Sequence, residues 1–535
     1  MKKIRLLPIL YLIAFQLLCI SFPIKAQESE NELDTMMRWQ HVGPYYGEGW
    51  GVSSDHFHKE IMPGKKTKTV VVAVIDGGID TSHPDLRSNL WVNADEIPSN
   101  GKDDDQNGYI DDIYGWNFIG GPNGDIGPEN TEAVRIYNKY KDRFAKLDKK
   151  DVKKADRADF ELYNKAAEKI MGELFVAGSS LPTYEKLKGH LDKILSIMGD
   201  DEFTGEDLRT ITDPDEEFIS TAAEIAYYME LGTSFESIYE DILEGVKYFT
   251  VAMNHHYNPD FDARHLVGDD PEDLTNRFYG NNNVTGPDAE HGTHVAGIIG
   301  AIRNNDLGID GIASDVRIMA LRAVPDGDER DKDVANAIRY AVDNGAKIIN
   351  MSFGKGFSPQ QQYVDDAIKY ATSKGVLMVH AAGNDALSTD KNWNFPNANN
   401  LNKNTFIPWI EVGATDILGQ MAEFSNYGSK SVDILAPGVN IYSTMPGGTY
   451  DYESGTSMAA PVVSGVAALL WSVYPELTVQ ELHSALMTGA VKPTSNSKTT
   501  QPGTSKQVPY KKMCKTGGVV NAYHSALIIE KKGLK

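Results

Sequence analysis

Cysteine is nearly absent from this chain. Its 535 residues hold two, Cys19 and Cys514, and the first lies inside an apolar N-terminal run. A disulfide-stapled scaffold is therefore excluded, and rigidity must come from packing or bound ions. Positive charge is also scarce: 52 Lys and Arg face 75 Asp and Glu, a formal net charge of −23. That balance argues against nucleic acid or an anionic membrane surface as a partner, and it favours solubility. The remaining composition, 41% hydrophobic and 24% charged, is that of a soluble globular protein. The length leaves room for roughly two to four domain-sized units.

The N-terminus has a basic start (Lys2, Lys3, Arg5), an apolar run from Leu6 to Ile24 and a small residue at Ala26. This pattern predicts a secretory signal over residues 1–26, and hence export to the periplasm or the medium. The competing reading is an uncleaved anchor, the one case in which a membrane would be a partner. Removing 1–26 takes away four cations, Lys2, Lys3, Arg5 and Lys25, and moves the net charge from −23 to −27.

Three separated segments carry chemistry. "TVVVAVIDGGID" (69–80) predicts a buried parallel strand that delivers Asp76 at its C-terminal end, where open α/β sheets place their sites. "DAEHGTHVAGIIGA" (288–301) predicts a helix with His291 in its first turn, and its small residues suit close packing on a sheet. His291 and His294 lack the i, i+4 spacing and supporting Glu of a zinc helix, so His294 reads as a packed, hydrogen-bonded residue. "SGTSMAAP" (454–461) opens a long apolar run. A helix beginning near Ser457 would set that hydroxyl beside free backbone N–H groups, and Pro461 is expected to be tolerated as a first-turn residue. Ser454 and Thr456 read as turn or cap residues. A hydroxyl needs a positioned base to become a nucleophile, and His291 with Asp76 could supply it.

The order Asp, His, Ser in "VIDGGID", "HGTHVAG" and "GTSMAAP" resembles the subtilisin-like serine peptidases. The resemblance covers residues 69–128 and 281–525, with further matches at "NMSFG" (350–354), "AAGND" (381–385), "NFP" (394–396), "VGATD" (412–416), "FSNYG" (424–428) and "DILAPG" (433–438). It implies an α/β fold, a three-layer sandwich around a mainly parallel sheet. It further implies a monomeric endopeptidase acting on proteins or peptides through an acyl-enzyme intermediate. Ser457 would be the nucleophile, His291 the base, Asp76 its orienting partner and Asn384 the oxyanion donor. Backbone at Ser352, Phe353 and Gly354, and at Ala381, Ala382 and Gly383, would pair with an extended substrate. Asn394 falls near the base of the specificity pocket.

"GKDDDQNGYIDDIYGWNF" (101–118) clusters hard oxygens about a turn. Asp103, Asp105, Asn107, Asp111 and Asp112, with the Tyr109 carbonyl, form a candidate structural calcium site. The alternative is a solvated Asp/Asn-rich turn.

Asp76 and His291 are 215 residues apart, and residues 129–275 read as an inserted all-α subdomain. Apolar positions recur there at helical spacing (Val134, Tyr137, Tyr140, Phe144; Phe218, Ala222, Ile225), and "GSSLP" (178–182) and "TDPDEE" (212–217) are expected to break it into several helices. The expected order is a signal (1–26), a first peptidase segment (27–128), the insertion (129–275) and a second peptidase segment (276–535). No long propeptide and no appended C-terminal module are expected. The insertion could be a lid, a docking module, a folding aid or a stabilising decoration. An alternative function stays open: a latent or silent peptidase scaffold that binds a partner through the insertion.

Overall fold

β-Branched residues dominate Val70–Asp76, and this segment forms the strand they predict, β1. The other main strands are β2 (Gly115–Asn117), β3 (Val316–Arg322), β4 (Ile348–Met351), β5 (Leu377–Ala381), β6 (Trp409–Thr415) and β7 (Ile434–Pro437). They form one sheet in the order β2-β3-β1-β4-β5-β6-β7, with every pair parallel. Two further strands, β8 (Ile441–Met445) and β9 (Thr449–Glu453), make an antiparallel hairpin. The computed structural model describes residues 36–44, 49–199, 202–399, 401, 405–492 and 497–533. The predicted signal segment 1–26 lies outside the described residues.

Among the described residues, five α-helices fall within 129–275: α1 (Glu132–Phe144), α2 (Arg157–Met198), α3 (Gly205–Leu208), α4 (Glu216–Glu230) and α5 (Phe235–Val251). After them come α6 (Glu290–Gly300), α7 (Asp331–Asp343), α8 (Gln361–Ser373), α9 (Thr456–Val473), α10 (Val479–Gly489) and α11 (Ala522–Lys531).

Alternate side chains of a strand face opposite ways, so β1 feeds two cores. Val70, Val72 and Val74 pack with Ile318, Ile348 and Val379 against residues of α6 and α9. Ala73 and Ile75 pack with Met319, Leu321 and Ile349 against residues of α7 and α8. The result is the three-layer α/β arrangement that continuous apolar strands require. Trp39, Val52 and Phe57 join the first core, and the Trp39 indole donates to the Asn440 carbonyl at 3.1 Å. Helix α9 is long and apolar enough to cross a membrane by length and composition, yet 94% of it is buried inside the protein. It is a core helix.

The chain divides into two compact units. One contains Met171–Asn254; the other joins Glu32–Ile170 to His255–Lys535 and holds the sheet. The first has its own core of Leu191, Ile194, Leu208, Phe218, Ala222, Ile225 and Ile242. Asp215 caps α4, accepting from the N–H groups of Glu217 and Phe218, so "TDPDEE" does separate two helices, α3 and α4.

"GSSLP" does not. Helix α2 runs through it for 42 residues with Pro182 inside. Proline removes one amide donor and presses on the preceding turn, but Gly178, Ser179 and Ser180 leave that turn little bulk. The Ser179 hydroxyl also donates back to the carbonyls of Phe175 and Val176 at 2.8 and 3.0 Å. The helix continues through this local breaker all the same.

Phe218 is fully buried in the smaller core. Phe218→Ala should destabilise that unit by about 3–5 kcal/mol. Hydrogen exchange should then show lost protection across α3, α4 and α5 while amides of β1, β3 and β4 keep theirs.

Candidate active site

Asp76 ends β1, and its side chain is 4% exposed. Its Oδ1 accepts from the Gly77 N–H and pairs with His291 Nδ1, both at 2.8 Å. His291 is the second residue of α6. Burial works against charge on its imidazole, but Asp76 more than reverses this and raises the pKa above the ordinary value. The hydrogen bond fixes the proton on Nδ1 and frees Nε2 to act as a base.

The approach of α6 to β1 depends on glycine at two positions. Gly78 has φ +151°, and a Cβ there would lie 2.1 Å from the Thr285 carbonyl. A Cβ on Gly292 would lie 2.1 Å from the Gly78 carbonyl and 3.1 Å from Asp76 Cβ. "DGG" and "HG" therefore fit one another.

Every residue of α9 is buried except Ser457. The helix begins one residue before it, at Thr456. Pro461 is consequently the sixth helical residue, outside the first turn, and its missing N–H leaves the Ser457 carbonyl without its helical donor. The Ser352 hydroxyl takes that place at 2.8 Å. In return Ser457 Oγ donates to the Ser352 carbonyl at 3.1 Å; among the described residues its hydroxyl bonds there and not to His291.

Asn384 faces the same helix end. Its Oδ1 accepts from the N–H and the hydroxyl of Thr456, both at 2.9 Å, which leaves Nδ2 as the outward donor. The Thr456 hydroxyl in turn accepts from the Gly383 N–H at 3.1 Å. The roles of Thr456 and of the Ser352 hydroxyl were not legible, because each acts on a segment distant in sequence. Ser454 lies between β9 and α9 outside any turn, and its hydroxyl accepts from the distant Asn440 N–H at 2.8 Å. His294 is fully buried, with Nε2 against the carbonyls of Ile441 and Asp451.

Ser352, Phe353 and Gly354 follow β4, and Ala381, Ala382 and Gly383 close and follow the adjacent β5. Asn394 lies between these segments: it donates to the Ala381 carbonyl at 3.2 Å, and a Cβ on Gly354 would be 2.5 Å from its Oδ1. Beyond Gly354 a crevice of about 600 Å³ extends to Thr131, Ala133, Lys165 and Lys169 of the insertion.

The acidic loop sorts its carboxylates into two groups. Asp103 accepts from the N–H groups of Asn107 and Gly108, and Asp111 from those of Asn100 and Gly101; both fold the loop. Asp105 and Asp112 instead gather with Glu96, all three offering oxygens within 4.8 Å of one another. Glu96 was not predicted, since it precedes the acidic run. The Asn107 amide donates to Asp105 and Asp112 at 3.0 Å. Tyr109 is buried, and its hydroxyl reaches the Arg277 carbonyl. Burial pushes Asp112 up to about 6, against hydrogen bonds from Tyr340, Asn107 and Asn93. The cluster is an acidic group able to hold a metal.

The family model for subtilases, Peptidase S8, matches residues 67–510. The chain is 43% identical over 223 residues to the thermophilic serine proteinase of Bacillus sp. (strain AK1), covering 40% of this chain and 49% of that protein. It is 46% identical over 187 residues to thermitase of Thermoactinomyces vulgaris, covering 34% and 61% respectively. The solved prenylagaramide maturation protease PagA is 29% identical, over 46% of this chain and 82% of that one, with a TM-score of 0.37. The chain spans about half the length of the curated relatives it matches. With the family's motifs standing on one parallel sheet and two core helices, and with most of its length matched, the chain belongs to the subtilase family.

Proposed function

We propose that this protein is an exported serine endopeptidase that hydrolyses peptide bonds through an acyl-enzyme intermediate. The observation that carries this reading is the 2.8 Å Asp76–His291 pair beside a helix whose one non-buried residue is Ser457. Ser457 Oγ attacks the substrate carbonyl, His291 takes its proton and passes it to the leaving amine, and Asp76 holds the tautomer. Ser457 first turns from the Ser352 carbonyl towards His291, a rotation about one side-chain bond. Asn384 Nδ2 and the Ser457 N–H at the start of α9 stabilise the oxyanion. The acyl half of the substrate pairs with the backbone of Ser352–Gly354 and Ala381–Gly383. Export rests on the signal-like residues 1–26, and the helical segment 129–275 is the inserted subdomain of this reading.

Glu96, Asp105 and Asp112, with the Asn107 amide turned to present its oxygen, would hold calcium. An all-oxygen, carboxylate-rich donor set suits that ion. Its contribution would be to offset the repulsion of three clustered acids and so brace the loop; the reaction needs no ion there.

Three outcomes test these readings. A fluorophosphonate probe should label the wild-type protein and leave Ser457→Ala unlabelled; a folded wild type that resists labelling would favour the latent scaffold. Gly292→Ala should slow labelling by about tenfold or more while circular dichroism shows an intact fold, because the added methyl drives α6 off the Asp76 turn. Calcium at about one hundred times its Kd should raise folding stability by about 2.7 kcal/mol. Chelator should remove that gain, and Asp105→Asn should show neither response in a thermal melt.

A further inference from the structure

The crevice beyond Gly354 brings together residues far apart in the chain. Gly354 and Asn394 line it beside the ends of β4 and β5, and Lys165 and Lys169 line it from α2. All four belong to the sheet-bearing unit. Lys165 and Lys169 are exposed and four positions apart, so they share one face of the helix. Among the described residues, the Lys165 amine has neither an ion pair nor a hydrogen bond. Lys391 also lines the crevice, exposed and likewise without a carboxylate. The other charges there are engaged. Lys355 is held by Glu132 and Asp331. Asp328 Oδ2 accepts from the Glu132 N–H at 2.8 Å, and Asp385 Oδ2 from the Asn426 amide at 3.2 Å. In a chain of net charge −23, this crevice is lined by four lysines and two aspartates, and its balance is positive.

We infer that Lys165 and Lys169 make this crevice a subsite for an acidic side chain, so that cleavage after glutamate is favoured. The inference rests on the endopeptidase reading above and names its substrate class. In that reading the attacked carbonyl lies at Asn384 Nδ2 and the Ser457 N–H. Asp385, next in the chain to Asn384, lines the crevice, and so does Gly354, which pairs with the substrate backbone. The side chain of the residue that carries the attacked carbonyl therefore enters there. Its stem meets Leu387 and Trp393, both exposed apolar side chains of the crevice, and its carboxylate meets the lysines. Glutamate suits this better than aspartate, whose shorter stem keeps the carboxylate near Asp385. A basic side chain would meet like charge and is rejected. Neither Lys165 nor Lys169 falls in a segment that carries the subtilase motifs, so the preference is a contribution of residues 129–275.

The test uses quenched fluorescent peptides that differ only in the residue before the cleaved bond: Glu, Asp, Gln or Lys. Wild-type kcat/KM should favour Glu over Lys by about tenfold or more, with Asp and Gln between them. The double variant Lys165→Gln, Lys169→Gln should bring the Glu-to-Lys ratio close to one, and Lys165→Glu, Lys169→Glu should invert it. Each ratio is taken within one protein, so a general loss of activity cancels, and both lysines are exposed, so the fold has little to lose. A wild-type ratio near or below one, or a ratio that both double variants leave unchanged, overturns the inference, while cleavage itself leaves the endopeptidase reading standing. Phosphonate labelling of Ser457 without cleavage of the Glu peptide overturns it as well. If no peptide is cleaved and Ser457 takes no phosphonate, the endopeptidase reading fails and the inference falls with it.

Discussion

The contact on which the site depends is the hydrogen bond from His291 to Asp76, which joins residues 215 positions apart. It requires the end of β1 and the start of α6 to meet at backbone distance, and the surroundings are built to hold them there. Arg322, paired with Asp76 across β1 and β3, is 1% exposed and donates to the Gly77 carbonyl at 2.6 Å. Its other donors reach the Ile119 and Ile126 carbonyls and Asn117 Oδ1. Burial lowers its pKa to about 10, with Asp125 and Asp288 pulling the other way. A buried cation held by carbonyls is costly unless each donor is satisfied. Here the satisfied donors tie the turn after Asp76 to the segment that leads towards the insertion.

The same logic holds at both ends of residues 129–275, within the sheet-bearing unit. Glu132, the first residue of α1, bonds Lys355 Nζ at 2.9 Å, and Asp331 reaches the same amine at 2.9 Å. Lys355 directly follows Gly354. Arg135 and Lys355 hold the Glu132 carboxyl well below the usual range despite burial, and these acids hold the Lys355 amine above its own. At the return, Arg264 pairs with Asp269 and Asp333, both at 2.6 Å. Buried ion pairs contribute less to stability than their Coulomb energy suggests, since desolvation opposes it, but breaking one partner is expensive. They act here as registers. In a chain without an internal disulfide, they fix where each end of the insertion enters the core.

Much of this was legible in the sequence, for identifiable reasons. β1, α6 and α9 are strongly patterned segments, and Asp76, His291 and Ser457 stand at the ends where that patterning put them, while Asn384, placed by the resemblance alone, lies beside the start of α9. The core positions Phe218, Ala222 and Ile225 followed from helical periodicity alone. Three features were not readable. Continuity of α2 through Pro182 runs against the breaker signal that local propensity reads in "GSSLP". Glu96 reaches the acidic loop by chain folding, outside any motif. Lys165 and Lys169 look like ordinary solvated helix charges until the fold brings them to the crevice beyond Gly354.

Pro461 shows how local and long-range demands are reconciled at Ser457. A proline six residues into a buried helix would ordinarily leave a carbonyl unsatisfied, at a cost of about 1–3 kcal/mol. That carbonyl belongs to Ser457, and the Ser352 hydroxyl bonds it from the segment that follows β4. The exchange is reciprocal, since the Ser457 hydroxyl rests on the Ser352 carbonyl. Asn350 Nδ2 holds Ser352 Oγ at 2.9 Å, and Ser464 Oγ holds Asn350 Oδ1 at 2.8 Å. The chain of bonds begins and ends on α9 and passes through β4. Helix and strand are thereby locked in register at the one residue of α9 that is not buried. Pro461 is thus the reason this residue of α9 can be tied to the sheet by its backbone while its hydroxyl stays free to turn towards His291.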